Sequence, residues 1–401
     1  MRDCLARVTF AILCAAGTLA AQTTWTVDLS NRPGTDFVDI QSAVDAAASG
    51  DVIRIRAAGA PADGVPSHLV YLAPVIDGKG LTLIGEGSDN GPTSTWMRGL
   101  LWVRNLQAGQ IVRCSDFVIW ESDLVLGAPG SGMRLENNQG VILIQKVRVE
   151  AKGTSPLPWT LDCRLVVLQG VEFVARPAAL AALRSNLVIQ DSILSSVRGV
   201  LGQPGPPLAL TDCRLWMMHS SAVGKDGTSQ SAATPAVGAQ ATELFFGPGS
   251  YLQGGLGPTG RQFALQVSLV GGVPTVSHID PGASFLGLIG GQWTIEPVPT
   301  LRATTTASTL TIDHWCTPQV LVVLAAGPLL PTPVSSAEGL VAIDPLPGIA
   351  WLAFGPASGQ LQWTFPAPPG LPADFVLGLQ AAELRPDGTL GLTDLALVTG
   401  R

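Results

Sequence analysis

The spacing of apolar and polar positions changes period within residues 36–56, "DFVDIQSAVDAAASGDVIRIR". Ile40, Ala43, Val44 and Ala47 recur at i, i+3, i+4 and i+7, which places them on one helical stripe. Asp39 stands where an N-cap is needed, and Gly50 is placed to end the helix. "DVIRIR" then alternates, with Val52 and Arg54 facing one way and Ile53 and Ile55 the other. A short helix with one apolar stripe must lay that stripe on something. Ahead of a series of strands, its natural partner is the open end of a β-stack, with its apolar side chains and unpaired edges.

Near-equivalent segments follow: "ILIQKVRV" (142–149), "VVLQGVEF" (166–173), "LVIQDSIL" (187–194) and "LALTDCRL" (208–215). Ile144, Leu168, Ile189 and Leu210 fall at equivalent positions, 24, 21 and 21 residues apart. A period near twenty, each unit made of strands and carrying no helix, is the pattern of a β-solenoid. Within the first unit Ile142 and Ile144 point inward, Gln145-Lys146 forms a corner, and Val147 and Val149 point inward again. The same frame gives corners Gln169-Gly170, Gln190-Asp191 and Thr211-Asp212. Three of the four begin with Gln, and stacked amides on successive rungs can hydrogen-bond along the axis.

The opening stretch, followed by "GKGLTLIGEG" at 78–87, resembles the start of secreted right-handed parallel β-helix proteins of the pectin-lyase-like superfamily. There a capping helix of the type D-[YF]-x-x-I-Q-x-A-[VI]-D-A-A precedes GD-x-[IV]-x-[IV] and GK-x-[LI]-T-[LI]-x-G. The resemblance is specific in residues 36–87, reduces to periodicity through about 220, and is vague from there to 300. It implies the fold and a habit of handling acidic polysaccharide, but no particular reaction, because the superfamily spans lyases, esterases, hydrolases and members without known activity.

Residues 221–240, small and polar, read as a loop protruding from the stack, and 241–300 as its last coils. From about 301 the texture changes. "LRATTTAST" reads as a linker, and short strands follow: "QVLVVLAA", "GLVAID", "AWLAF", "GQLQWTFPAP", "DFVLGLQAAEL" and "LGLTDLALVT". In "QLQWTF", Leu361, Trp363 and Phe365 alternate with polar residues, as in a one-sided antiparallel strand. The expected architecture is all-β. A right-handed parallel β-helix with an N-terminal capping helix occupies 22–300, and a small C-terminal β-sandwich occupies 301–401.

Composition agrees with many tight turns: 46 Gly and 31 Pro in 401 residues, 46% hydrophobic and only 13% charged. That apolar content argues against disorder. A net charge of −7 without any basic run leaves no nucleic-acid footprint. Met1-Arg2 and Arg7, the apolar run Val8–Ala16 and the small residues of "GTLAAQ" read as a signal peptide over 1–21, hence an exported protein. No later apolar run is long enough to span a membrane. Export permits disulfides, yet Cys114, Cys163, Cys213 and Cys316 are isolated and form no CxxC pair. Their pairing stays open; buried apolar roles suit them, and the spacing argues against zinc.

Uronate lyases of the resembled fold hold calcium with carboxylates on successive rungs beside an Arg or Lys base. Asp191 and Asp212, placed one rung apart by the frame, with Arg214, Glu172 and Lys146 nearby, are the nearest counterpart. They could form a calcium or acid–base site on a groove, or a solvated ladder at a corner; the ladder needs no further assumption. Calcium enters only with the lyase alternative. "QDS" at 190–192 partly echoes a pectinesterase motif, without its "DFIFG" companion, and polygalacturonase motifs are missing. His68, His219, His278 and His314 show no HxH or HExxH spacing, and no GxSxG elbow occurs. "GEGSDNG" (85–91) reads as a Gly-rich turn, since no helix follows it to receive an anion. Ten Trp against two Tyr suggest a sugar-stacking platform, with Trp102, Trp120 or Trp216 as its members if they lie on an outer face. The functional expectation is an exported, non-catalytic protein that binds polysaccharide or a cell-envelope glycan or serves a structural or adhesive role. The alternative is a polysaccharide lyase or related enzyme acting on acidic glycans.

Overall fold

The computed structural model describes residues 22–57, 70–88, 94–120, 132–151, 159–175, 179–196, 205–227, 232–257, 260–268, 274–306, 308–336, 339–344, 349–356, 358–366, 376–385 and 387–399. The expected signal segment, His68 and the end of "GEGSDNG" lie outside these residues.

The first part is a parallel β-solenoid of about seven turns. A typical turn has three strands, one on each of three faces. Leu208–Thr211 lies on face A, Arg214–Met218 on face B and Ser221–Val223 on face C. Each pairs in parallel with its counterpart one turn away, for example Leu187↔Leu215 and Ile189↔Met217 on face B. Inward side chains therefore form columns. Ile144 pairs with Leu168, Leu168 with Ile189, Ile189 with Met217 and Met217 with Phe246, and all five are buried.

Leu210 is not in that column. It lies on face A, between Ala182 and Ala239. The reason is a change in turn length. Four residues separate Ala175 from Leu180, but eleven separate Ser196 from Leu208. A fixed offset of 21 therefore lands one face early, and Met217 takes the place assigned to Leu210.

Single residues in the left-handed region turn the chain between faces. Between A and B stand Asn105, Asn137, Asp162, Arg184, Asp212 and Ala241, with φ between 47° and 58°. Between B and C stand Asp116, Lys146, Gly170, Asp191, His219 and Gly249, with φ between 45° and 70°. Asn, Asp and Gly tolerate this conformation best, and they dominate both corners. The ladder continues through the bends, as where Gly170 N donates to Gln190 O and Asp191 N to Met218 O.

The helix Ile40–Ala46 lies against the first strands with Ile40, Ala43 and Val44 buried. Asp39 caps it by accepting from Ser42 N at 2.8 Å. Its end falls at Ala47 rather than Gly50; Gly50, at φ +98°, serves the turn into Val52–Ile55. Lys79 holds that end, donating to the carbonyls of Val44, Asp45 and Ala47, each at 3.0 Å. Asp51 ties the entry strand down by accepting from Thr23 N, Ala48 N and Trp25 Nε1.

Residues 221–240 are not all loop. Ser221–Val223 and Val237–Gln240 are rungs, and 228–231 lie outside the described residues. The presumed linker is also strand. Thr300–Thr305 pairs antiparallel with Thr309–Trp315, which pairs with Gln360–Pro366. Runs of Thr look like linker by polarity, but β-branched Thr suits a half-buried strand. An opposing antiparallel sheet contains Ile349–Phe354, Leu321–Gly327, Val376–Leu384, Leu390–Leu392 and Ala396–Thr399. Leu301, Ile312, Val322, Leu324 and Leu379 fill the space between the two sheets, completing a β-sandwich.

The sandwich covers the outer side of face B. Val141, Leu143, Leu165, Val167, Val188 and Trp216 pack against Ala342, Ile343, Leu395 and Leu397. Face B is thus buried on both sides. That is why its strands read as unbroken apolar runs such as "VILI" and "LVVL" rather than as alternations.

Candidate functional site

The residues singled out by sequence do not form one site: Lys146 and Asp191 line one cleft, and Asp212 and Arg214 line another. Asp191 sits at the B–C corner and Asp212 at the A–B corner of the next turn. A face-B strand lies between those corners, so the separation is roughly 20 Å at ~3.3 Å per residue. The 5 Å spacing required for a shared ion is not met. The calcium arrangement implied by resemblance therefore does not form around this pair. Asp191 is instead held by Arg302 of the sandwich through two contacts, Nη2 to Oδ1 at 2.9 Å and Nε to Oδ2 at 3.2 Å. Arg214 pairs with Glu243 on the neighbouring turn and lies over the Trp216 ring, 5.7 Å from its centre. Glu172 is on face C, paired with Arg148 at 3.4 Å.

The three tryptophans lie on three faces and form no common platform. Trp102, on face A, already carries the guanidinium groups of Arg104 and Arg134 at 4.3 and 5.0 Å from its ring centre, and donates Nε1–H to Glu136. Trp120, on face C, packs against Val70, Trp96 and Val118. Trp216 is only 3% exposed and stacks on Phe245 with ring centres 5.1 Å apart. No Trp216 ring face is left for a sugar.

Polar groups do converge in a cleft of about 570 Å³ between the B–C corner and the sandwich. The solenoid contributes Arg113, Ser115, Asp116, Gln145, Lys146, Gln169 and Asp191. The sandwich contributes Arg302, Thr304 and Thr399 among others. The expected amide ladder is part of this lining. Arg113 Nε donates to Gln145 Oε1 at 2.9 Å, and Gln145 Nε2 donates to Gln169 Oε1 at 2.8 Å. The ladder stops there, because Gln190 Nε2 turns to the sandwich and donates to Asp394 Oδ2 at 2.8 Å and Leu395 O at 3.0 Å. Gln169 Nε2 then has no acceptor among the described residues. Ser115 Oγ, also in the lining, is buried without a partner among the described residues.

The cleft therefore has three cationic side chains against two anionic ones, on a chain of net charge −7. One anion, Asp191, is engaged by Arg302. Lys146 stands exposed on its left-handed corner, with no ion pair among the described residues. Amide and ammonium donors around a concave surface suit a ligand rich in hydroxyl and carboxylate oxygens.

Lys146, the glutamine ladder and Asp191 were visible in the repeat frame. Arg302 was not, because its segment read as linker, and only the docking of the two parts makes the cleft. A second concavity of about 600 Å³ at the A–B corner contains Asp212 and Arg214, but its Arg184 and Arg214 are already paired with Asp162 and Glu243. No helix among the described residues is long and apolar enough to cross a membrane. No protein-family model and no curated protein matches the chain.

Proposed function

We propose that this is an exported, non-catalytic β-helix protein of the pectin-lyase-like type that binds acidic polysaccharide, outside the cell or at its envelope. The observation that carries the reading is the net-positive, donor-rich cleft between the solenoid corner and the sandwich. The apolar run at 8–16 and the small residues after it support export. The "DFVDIQSAVDAA" and "GKGLTLIGEG" motifs support the superfamily. The two contacts from Arg302 already occupy both carboxylate oxygens of Asp191, which favours a binding role for the cleft over acid–base chemistry.

Calorimetric titration with polygalacturonate, alginate and a neutral β-glucan tests this. Binding should be confined to the two acidic polymers and weaken as salt rises. Lys146→Asn, which keeps a residue tolerant of positive φ, should lower affinity about fivefold, the scale of one exposed charge contact near 1 kcal/mol. Equal binding of the neutral polymer, or an unaffected Lys146→Asn variant, would remove the cleft from the account. Growth of unsaturated-uronate absorbance during the titration would establish the lyase alternative instead.

A further inference from the structure

His314, Cys316 and Glu383 meet inside the sandwich. His314 belongs to Thr309–Trp315, whose alternate side chains Leu310, Ile312 and His314 are buried. Cys316 follows directly at the end of that strand. Glu383 comes from Val376–Leu384 in the opposing sheet. The three are 0%, 4% and 0% exposed. Their ligand atoms all lie within 4.8 Å of one another, and His314 Nε2 is 3.2 Å from Glu383 Oε1.

The hydrogen bonding there is incomplete. Neither ring nitrogen of His314 has a hydrogen-bond partner among the described residues, although the side chain is fully buried. The Nε2 contact to Glu383 is close but not aligned as a hydrogen bond. Among the described residues, Glu383 accepts only from Thr317 N, at 3.1 and 3.3 Å. Buried imidazole nitrogens and a buried carboxylate are costly in this condition.

We propose that His314, Cys316 and Glu383 bind a divalent transition-metal ion of the zinc class, which ties the two sheets of the sandwich together. One imidazole, one thiolate and one carboxylate form a mixed N, S, O donor set suited to zinc and unsuited to calcium or magnesium. The thiolate and carboxylate together balance the charge of a dication, which makes burial favourable. Tetrahedral zinc places its ligand atoms about 3.3–3.8 Å apart; His314 Nε2 and Glu383 Oε1, at 3.2 Å, already stand near that spacing, and the widest separation in the cluster is no more than 4.8 Å. The Cys316 thiol gives up its proton to solvent as the sulfur–metal bond forms, and a water completes the fourth position. Two neighbours fit the role. The Trp363 ring stacks on His314, fixing the plane of the imidazole. Gly355 leaves space for the sulfur, since a Cβ there would come within 3.0 Å of Cys316 Sγ.

The full chain, stripped with chelator and shown to be folded by circular dichroism, is titrated with Co²⁺ and Zn²⁺. Co²⁺ should produce a thiolate-to-cobalt charge-transfer band and tetrahedral d–d absorption that saturate at one ion per chain. Zn²⁺ should displace it and raise the melting temperature. Cys316→Ser should abolish the charge-transfer band and weaken zinc binding at least tenfold, whereas Cys213→Ser, in the solenoid, should leave both intact. A folded wild-type chain with no charge-transfer band and no zinc-dependent shift overturns the proposal. So does a Cys316→Ser chain that binds as the wild type does. The wild-type spectrum decides the matter even if the variants fold poorly.

Discussion

At the residue scale, the dipeptide Gln190-Asp191 does two structural tasks. Gln190 reaches the sandwich through Asp394, and Asp191 reaches it through Arg302. Asp394 is fully buried, and burial pushes its carboxyl up to about 7, against the bonds from Leu301 N and Gln190 that favour the charged form. Its ordinary value is 3.8, so between about pH 4 and 7 the folded chain holds a proton that the unfolded chain has lost. Stability from this group therefore falls as pH rises through that window. His219, whose imidazole is pulled down chiefly by burial, slopes the opposite way below 6.5. The difference between wild type and Asp394→Asn isolates the carboxyl. Melting temperatures at pH 5 and pH 8 should show a drop in the wild type that is smaller in Asp394→Asn. The variant should also lose about 1 kcal/mol, because its amide must face that of Gln190. An unchanged pH dependence in Asp394→Asn would contradict the assignment.

At the element scale, the cap helix was legible because a stripe at i, i+3, i+4 and i+7 needs only local geometry. Its end was not, because Lys79, from a segment 32 or more residues away, satisfies the last carbonyls in place of a glycine cap. A cation there also meets the negative end of the helix dipole. Lys79→Met should cost about 1–2 kcal/mol in urea unfolding. It should also raise amide exchange in residues 40–47 more than elsewhere. Uniform exchange across the chain would show that Lys79 does not hold the helix. The strand Thr309–Trp315 was missed for a different reason. The stretch 301–309 reads as linker and only Thr309 of it belongs to this strand, while burial of Leu310, Ile312 and His314 depends on a sheet formed with Gln360–Pro366 some fifty residues later.

At the scale of the whole molecule, the sandwich is a cover as well as an appendage. A chain ending at Pro299 would expose Val141, Leu143, Leu165, Val167, Val188 and Trp216 in one patch. Patches of this kind drive association. That shorter chain should self-associate in light scattering and bind a hydrophobic dye. Adding Leu143→Thr, Val167→Thr and Val188→Thr should restore much of the monomer. A monodisperse shorter chain without dye binding would mean that the outer side of face B needs no cover. The clue was in the sequence, since strands apolar at every position must be buried on both sides, yet nothing local says what lies on the outer side.

The sequence by itself determined the all-β architecture, the capping helix, and the corner and inward positions of the four repeats between 142 and 215. These follow from short-range steric and hydrophobic rules that each segment obeys alone. Tertiary structure decided the column that each residue joins, because connections of unequal length shift the register. It also decided the cleft beside Lys146 and the meeting of His314, Cys316 and Glu383, because residues 67 positions apart become neighbours only when two sheets close over a shared core.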